Sequence, residues 1–183
     1  MMPELLHYGG VPVPWTVAWT AEEDFFLDAC PYAGGRLAIC QKVERGEGKP
    51  RFGSPHVVRQ RAAIAHGRCD LCGRLLKTAT KVSLSQARPY LHAFKPGDIL
   101  QVEPLLHKRC AAICMEHCPS LRSQEADGSL HIRQVLRWQA QFALYSEQGV
   151  FEACGERRQA ISHAKVQLIK WIDRDRAWLG GVA

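Results

Sequence analysis

The pattern of apolar and polar side chains predicts three short strands in this chain. Residues 81–85 and 99–102 alternate, with the period of two that places successive side chains on opposite faces of a strand, and residues 36–43 form an apolar run that ends at a turn containing glycine and proline. Between the second and third of these strands, residues 88–98 contain two prolines and a glycine, which predicts a loop. The middle of the chain is therefore expected to form a small β-hairpin.

Apolar side chains that recur every three to four residues predict helices elsewhere. A short helix is expected at residues 21–29, with Thr20 as its N-cap. A second is expected at residues 54–65, and a third begins near Leu106, just after a proline. The second of these helices leads the chain directly into its first cysteine motif.

Two further helices are predicted to close the chain. The first is marked by apolar side chains at Ile132, Val135, Leu136, Trp138, Phe142 and Ala143, and the second by Ile161, Ala164, Leu168, Trp171, Ile172, Trp178 and Leu179. Aromatic stripes of this kind are typical of a buried core. We therefore expect the two helices to pack together as a helical hairpin.

Two short cysteine motifs carry the most specific chemistry in the sequence. Cys69 and Cys72 form a C-x2-C pair followed by Gly73, and His107 and Cys110 form an H-x2-C pair at the expected start of a helix. This spacing is typical of a tetrahedral zinc site, in which a turn and one face of a helix each supply two ligands. We predict one structural Zn²⁺ in a treble-clef arrangement.

The identity of the fourth ligand is open at this stage. His107 has the right spacing, whereas Cys114 and Cys118 follow Cys110 at i+4 and i+8 and could face the same way. We interpret Cys114 as a buried helix thiol that packs like a small apolar side chain. Cys118 is kept as the alternate ligand.

Together these elements predict an α+β protein with a treble-clef zinc-finger centre, a small β-hairpin and flanking helices. The 183 residues, 46% of them hydrophobic, are enough for one core of ordinary size. Three segments are expected to pack as one compact unit. They are an acidic and aromatic N-terminal segment with a strand (1–50), a basic zinc module (51–124) and a two-helix C-terminal segment (125–183).

Composition argues against membrane and secreted classes. No apolar run approaches the roughly 20 residues that span a bilayer, and residues 1–8 lack the basic start and apolar stretch of a signal peptide. We therefore expect a cytoplasmic protein without a membrane partner. Its eight cysteines are expected to stay reduced and available to a metal.

The net charge of +6 is concentrated in one segment. Residues 42–88 carry eleven lysines and arginines against three carboxylates, a local net charge of +8, whereas residues 1–41 carry five acidic side chains and one arginine. Such a field attracts phosphate backbones or an acidic protein surface. The helix at 54–65 is expected to turn its arginines toward water. The predicted phosphate contacts are Arg51, Arg59, Arg61, Arg68, Arg74, Lys77 and Lys81.

The stretch from Arg59 through the C-x2-C-G motif resembles the segment that leads into the zinc site of HNH endonucleases. The members of that family share a zinc-stabilised treble clef. In that family a general-base histidine follows the knuckle on the first hairpin strand, and a metal-binding asparagine or histidine lies further on. The corresponding strand here, residues 81–85, has no histidine, and the chain contains no asparagine. The resemblance implies the scaffold without the family's catalytic residues.

A closer resemblance covers residues 68–121. The chain has C-x2-C-G, then Glu103-Pro104-Leu-Leu-His107-Lys-Arg-Cys110-Ala111, and then Cys118-Pro119. This pattern is similar to that of small zinc-finger proteins of unassigned activity encoded by bacteriophages and prophages, which place a cysteine before a proline where Cys118 stands. The resemblance implies that the protein is encoded by a phage and acts in the host-cell cytoplasm. It does not imply a mechanism.

Three functions are considered on this basis. The leading hypothesis is a zinc-stabilised, phage-type protein that binds nucleic acid through its basic face, with no catalytic residues assigned. The second is an interaction factor that docks on a host complex, such as a defence nuclease or the transcription machinery, and inhibits or redirects it, with tryptophans near the termini as anchors. The third is a divergent HNH-like nuclease that uses His56, His66 or His92.

Overall fold

The computed structural model describes residues 5–89 and 97–181. Their strands are β1 (His7–Tyr8), β2 (Val11–Pro12), β3 (Val17–Trp19), β4 (Phe25–Cys30), β5 (Arg36–Gln41), β6 (Pro50–Pro55), β7 (Lys81–Ser85), β8 (Ile99–Gln101), β9 (Leu106–His107), β10 (His131–Tyr145) and β11 (Ala160–Arg174). Their helices are α1 (Val57–His66), α2 (Lys108–His117), α3 (Pro119–Ala126), α4 (Glu147–Cys154) and α5 (Arg176–Gly180), with single 3₁₀ turns at Thr20–Glu22 and Pro31–Ala33.

Most of these strands belong to one curled sheet. Its order is β4-β5-β11-β10-β7-β9, and β8 pairs with the edge of β11 that faces away from β10. The pairs are antiparallel except for β5 and β11, which run parallel and meet at Ala38 and Ile161. The curl brings β8 to β7, where the Ser83 hydroxyl donates to the Gln101 side chain at 2.5 Å. Two smaller sheets join β1 to β2 and β3 to β6.

The main hydrophobic core lies between this sheet and α2. Its fully buried side chains include Leu71 beside the cysteine motif, Val82 on β7, Met115 on α2 and Leu168 on β11. Leu179 of α5 is buried in the same cluster. One continuous core therefore holds the cysteine motifs against the sheet.

The predictions for the middle of the chain are confirmed in outline. The strands expected at 36–43, 81–85 and 99–102 are β5, β7 and β8, and the helix expected at 54–65 is α1. The helix predicted near Leu106 begins two residues later, as α2. Of the loop predicted at 88–98, residues 90–96 lie outside the described part of the chain.

The predicted C-terminal helical hairpin is wrong. Residues 131–145 and 160–174 form β10 and β11, two fifteen-residue antiparallel strands joined through α4. Only the short α5 at the end of the second segment is helical. The deciding pattern is the alternation around Trp138, where polar residues at 137, 139 and 141 point away from the core that Trp138 and Phe142 contact. This period of two identifies a strand.

Two smaller predictions are also wrong. The helix expected at 21–29 is a 3₁₀ turn followed by the strand β4, in keeping with the strand preference of aromatic residues such as Phe25 and Phe26. The hairpin expected from β7 and β8 is not formed between them. Instead β7 pairs with β10 and β9, and β8 pairs with β11.

Side chains of α1 fill a gap in the sheet along β11. The backbone of β11 pairs with β5 at Ile161 and with β8 from Val166 onward, so the residues between them lack a strand partner on that edge. The Gln60 side chain occupies this gap, because it donates to the Ala164 carbonyl at 2.7 Å and accepts from the Ala164 amide at 2.9 Å. The Gln60 amide also donates to the Val102 carbonyl. The side chain thus makes the hydrogen bonds that a neighbouring strand would otherwise make to Ala164.

Arg61 continues the same connection toward β5. Its guanidinium donates to the carbonyl of Ser162 on β11 and to that of Ile39 on β5, the latter at 2.6 Å. The side chain is fully buried, so its charge is solvated by backbone carbonyls in place of water.

A buried ion pair fastens α1 to the N-terminal segment. Both Glu22 oxygens accept from the Arg59 guanidinium, at 2.6 and 2.7 Å, and both residues are buried. Burial alone would raise the pKa of Glu22, but the Arg59 hydrogen bonds and the backbone amides of Trp19 and Glu44 outweigh it, and the net shift is downward. The pair is therefore ionised, bidentate and saturated with hydrogen bonds, which a buried charge requires.

The Gln60→Met variant tests the role of Gln60 in the sheet. Methionine has a similar volume but leaves the amide and carbonyl of Ala164 and the carbonyl of Val102 without their partner. Because each buried unpaired group costs about 1–3 kcal/mol, we expect the free energy of unfolding to fall by roughly 3 kcal/mol or more. Chemical denaturation measures it. The matched control is Gln148→Met on the exposed surface of α4, and equal stability of the two variants would contradict the assignment.

A second prediction concerns pH. His56 is the N-cap of α1: its Nδ1 accepts from the Arg59 amide at 3.3 Å and its Nε2 donates to the Lys42 carbonyl at 2.9 Å. Burial lowers the pKa of His56, and the charge of Arg59 lowers it further. Below about pH 6.5 the unfolded chain therefore binds a proton at His56 that the folded chain does not bind. The free energy of unfolding consequently decreases as the pH falls below about 6.5.

The His56→Asn variant isolates this contribution, because asparagine can still cap Arg59 but does not titrate. Between pH 7.5 and 5.5 the variant is expected to lose less stability than the wild type, by up to about 1.4 kcal/mol for each pH unit below 6.5. Denaturant unfolding at both pH values measures the difference. His66→Asn, at the exposed end of α1, is the control and keeps the wild-type dependence. Equal losses in all three proteins would refute the role of His56.

Candidate metal centre

A tight turn places the first two cysteines together. Arg68 and Leu75 are bridged as an isolated antiparallel pair, and the Cys69 amide donates to the Arg74 carbonyl at 2.7 Å. The Gly73 amide in turn donates to the Cys69 carbonyl at 2.8 Å. This knuckle, defined as residues 68–75, closes the backbone so that Cys69 and Cys72 present their thiols to the same point.

Gly73 is required at the end of the knuckle for two reasons. Its φ of +70° lies in the left-handed region, which side chains with a β-carbon rarely adopt. A β-carbon there would also lie 2.7 Å from the ring of Trp15. The Trp15 amide approaches the carbonyls of Asp70 and Leu71, so the segment before β3 covers the knuckle.

The second motif comes from the junction of β9 and α2. His107 is the last residue of β9, where it pairs with Lys81 of β7, and it is also the N-cap of α2. Cys110 lies in the first turn of that helix. The Asp70 amide donates to the Leu105 carbonyl at 3.0 Å, which fixes the knuckle against the strand that carries His107.

The four predicted ligand atoms converge. One atom from each of Cys69, Cys72, His107 and Cys110 lies within 4.8 Å of all the others. His107 Nδ1 is 3.5 Å from Cys72 Sγ and 3.9 Å from Cys110 Sγ. A tetrahedral zinc ion with ordinary Zn–S and Zn–N bonds places such atoms about 3.6 Å apart, so the group has the size that a small tetrahedral ion needs.

Hydrogen bonds orient His107 within this group. Its Nε2 lies 3.3 Å from the Leu75 carbonyl, which accepts a proton and therefore leaves Nδ1 unprotonated toward the thiols. The His107 amide also points at Cys69 Sγ, at 3.5 Å. Outer contacts of this kind fix the tautomer and ring orientation of a metal ligand and stabilise its thiolates.

The thiols also influence one another. Hydrogen bonds from Cys110 and Cys69 hold the pKa of Cys72 far below its ordinary value. The same contacts raise the pKa of Cys110, because its proton is shared with the other two sulfurs. Without a cation only one of three adjacent thiols ionises readily, whereas a bound cation compensates the charge of all three. The donor set therefore suits a divalent, sulfur-preferring ion such as Zn²⁺.

The other two cysteines of this region lie outside the group. The Cys118 amide ends α2 by donating to the Cys114 carbonyl at 2.8 Å, and Cys118 then precedes the first residue of α3. Burial raises the pKa of Cys114 well above its ordinary value, so this thiol stays protonated. The fourth member of the group, beside Cys69, Cys72 and Cys110, is therefore His107 and not Cys118.

Two of the predicted phosphate contacts are not on the surface. Arg59 is held by Glu22 and by the carbonyls of Trp15 and Val17, and Arg61 by those of β5 and β11. Exposed fractions of 6% for Arg59 and 0% for Arg61 correct the expectation that they face water. Their guanidinium groups are occupied by long-range acceptors that the local sequence does not reveal.

The other five predicted contacts lie at or near the surface. Arg51 is exposed on β6 and forms an ion pair with Glu23. Arg68 donates to the Gly73 carbonyl at 3.1 Å, so it belongs to the knuckle itself. Lys81 donates to the Lys77 carbonyl at 2.7 Å. The part-exposed Arg74 and the exposed Lys77 lie on the same short stretch of chain.

The histidines considered for catalysis are dispersed. His56 is the buried cap of α1. His66 is exposed at the other end of that helix and packs edge-on against Tyr32, with ring centroids 5.3 Å apart. His92 lies outside the described residues. The two described histidines therefore do not form a common site.

Sequence analysis missed two supports of the centre, Trp15 and the Leu75 carbonyl. The glycine directly after Cys72 was the available signal for the first, because it marks a place where another group approaches the backbone closely. No feature of the local sequence indicates that the Leu75 carbonyl contacts His107.

Over residues 5–89 and 97–181, no helix is long and apolar enough to cross a membrane. Comparisons with protein-family models, with curated proteins and with solved structures find no match to this chain.

Proposed function

We propose that this protein is a zinc-stabilised, nucleic-acid-binding protein of the bacteriophage and prophage type, with a treble-clef centre, acting in the host cytoplasm. The observation that carries the proposal is a run of basic side chains on and just after the knuckle, beside the Cys₃His group. The metal's part is structural: it would fix the backbone from which the basic side chains project.

Ligand number supports a structural ion. Three thiolates and one imidazole fill a tetrahedral shell, whereas a catalytic zinc keeps one position open for water or substrate. Trp15 covers one side of the knuckle, and Cys69 is completely buried. A bound ion would connect the knuckle to β9 and α2 and add to the hydrogen bonds between His107 and the knuckle.

Charge supports the nucleic-acid partner. Residues 68–81 carry four basic side chains, Arg68, Arg74, Lys77 and Lys81, against the single carboxyl of Asp70. The Asp70 carboxylate accepts a hydrogen bond from the Thr16 hydroxyl, and burial raises the pKa of Asp70 to about 6. A short, rigid and positively charged turn is suited to contact phosphates.

The first prediction from this proposal concerns metal content. The purified chain is expected to hold one Zn²⁺, measured by mass spectrometry of the metal, and a chelator should unfold the segment around the knuckle. His107→Ala should lower both zinc content and thermal stability, because it opens the ligand shell. Cys118→Ser is the matched control and should keep the metal. Loss of zinc in Cys118→Ser with retention in His107→Ala would contradict the ligand assignment.

The second prediction concerns salt. Affinity for a 20-base-pair DNA duplex should fall steeply with salt concentration, each phosphate contact adding about −0.9 to the slope of log K against log[salt]. Replacing Arg74 and Lys77 by alanine should flatten that slope by up to about 2. Replacing Arg157 and Arg158, two exposed arginines after α4, removes the same charge and should leave the slope unchanged. Equal effects of the two double variants, or no binding at low salt, would overturn the proposal.

One observation favours the interaction factor as a second candidate. Phe25 and Phe26 are 38% and 44% exposed on β4, which lies at the edge of the main sheet. An apolar edge strand is a surface on which another protein can add a strand. The N-terminal tryptophans first suggested as anchors do not serve this purpose, because Trp19 is buried and Trp15 packs on the knuckle. Pulldown from nuclease-treated lysate, compared with Phe26→Lys, tests this alternative.

A further inference from the structure

From Arg137 to Tyr145, β10 forms an unpaired edge of the main sheet. β7 pairs with β10 only as far as Val135, whereas β11 pairs with the other side of β10 as far as Tyr145. Among the described residues no strand lies along the outer side of residues 137–145, which we name the free edge. Alternate residues of an edge strand point their amide and carbonyl groups outward, so about four or five residues here can bond to another strand.

The sequence of the free edge does little to prevent such pairing. Residues 137–145 contain no proline, no glycine and one charged side chain, that of Arg137. Their middle part, from Trp138 to Phe142, pairs with β11 without a bulge. At the end of the edge, Leu144 and Tyr145 are 62% and 43% exposed. A long edge of this composition is suited to pair with another chain, because prolines, charges and bulges are what usually block an edge strand.

The opposite edge of the sheet is less suited to self-association. β4 is the last strand on that side, and the Ala29 amide there donates to the Asp28 carboxylate at 2.7 Å. Asp28 is exposed, as is Asp24, which directly precedes β4. Two copies of β4 in antiparallel pairing would bring these carboxylates near one another, which opposes association. Of the two sheet edges, β10 therefore suits a second copy of the chain better.

The two ends of the free edge carry opposite charges. Arg137 lies at its start, and Glu147, the first residue of α4, follows its end. Both side chains are exposed, and within the described part of the chain neither has an opposite charge at salt-bridge distance. In an antiparallel pair the start of each strand meets the end of the other. Arg137 of each copy would then approach Glu147 of the other, so the free edge is complementary in charge to itself.

We propose that two copies of this chain associate through their free edges, which pair antiparallel and join the two main sheets into one across a two-fold axis. Such an interface uses the same residues of both copies. The inference does not rest on the proposed function. The new ladder would contain about eight to ten backbone hydrogen bonds, and it would cover the exposed Leu144 and Tyr145.

A register centred on Gln141 satisfies these groups together. It places Trp138 opposite Leu144 and Gln139 opposite Ala143, and it puts no two like charges opposite each other. Because opposite residues share a face of the sheet, the exposed Leu144 would pack beside Trp138 of the other copy. Gln141 would meet its own copy, and its side chain, held by Gln167 at 2.7 Å, keeps an amide oxygen and a second N–H for that contact.

Sedimentation equilibrium of the full-length, zinc-loaded and nuclease-treated protein tests the association. With rising concentration the wild type should approach twice the 20.5 kDa mass of one chain. Leu144→Lys should raise the dissociation constant of the dimer roughly tenfold or more, because it removes apolar area and places a lysine on the edge. Phe26→Lys, the matched change on the exposed surface of β4, should dimerise like the wild type.

Charge reversal tests the antiparallel direction of the pairing. Arg137→Glu brings two carboxylates together at each end of the interface and should weaken the association by roughly 2- to 30-fold. Adding Glu147→Arg to this variant should restore the association, which a general loss of structure could not do. Glu152→Arg, at another exposed position of α4, is the matched control and should not restore it.

Hydrogen exchange locates the contact in the wild type. Backbone amides between residues 138 and 144 should exchange more slowly as the protein concentration rises, whereas those of β4 should not change. A wild type that remains monomeric at every concentration overturns the proposal, and so does a dimer that persists in Leu144→Lys or is lost in Phe26→Lys. Failure of Glu147→Arg to restore the Arg137→Glu variant overturns the antiparallel pairing. Zinc content and thermal unfolding show that each variant is folded.

Discussion

Three consecutive polar side chains of α1 connect parts of the chain that strand pairing leaves apart. Arg59 is ionised against Glu22, Gln60 completes the edge of β11 at Ala164, and Arg61 joins β11 to β5. All three are buried, which is costly unless each donor finds an acceptor. Their acceptors come from segments far apart in the chain, whereas Nε of Arg61 has no hydrogen-bond partner among the described residues.

The metal centre extends this connection to the other side of the fold. α1 ends at His66, and Gly67 turns the chain directly into the knuckle, with φ of +59°. The position of α1 against the sheet therefore decides where Cys69 lies, and Asp70 then meets the strand before His107. A bound ion would close a path that runs from the sheet through α1 and the knuckle to α2.

The sequence was informative where local spacing determines structure. The two cysteine motifs located all four members of the metal group, since a turn and a helix start have fixed geometry. β10 and β11 were misassigned because apolar residues at 132, 135 and 136 fit a helical period, whereas the polar residues at every second position after 136 decide for a strand. The burial of Arg61 could not be foreseen, because its acceptors at residues 39 and 162 are remote in sequence and meet only in the folded sheet.

Charge must accordingly be counted on the folded surface. Of the eleven basic residues between 42 and 88, Arg59 and Arg61 are used inside the protein, and Lys42 is paired with Glu44 at 2.8 Å. Arg51 is paired with Glu23, and the Arg68 guanidinium donates to the Gly73 carbonyl. Arg137 and Lys170 are exposed and lie outside the segment that is basic in the sequence. The charge that the sequence assigns to α1 is therefore largely used inside the protein and does not reach the surface. Gly67, which directly precedes the knuckle, lies against the Trp138 ring of β10, so the basic side chains at residues 68–81 project from a stretch of chain whose start is fixed against the sheet.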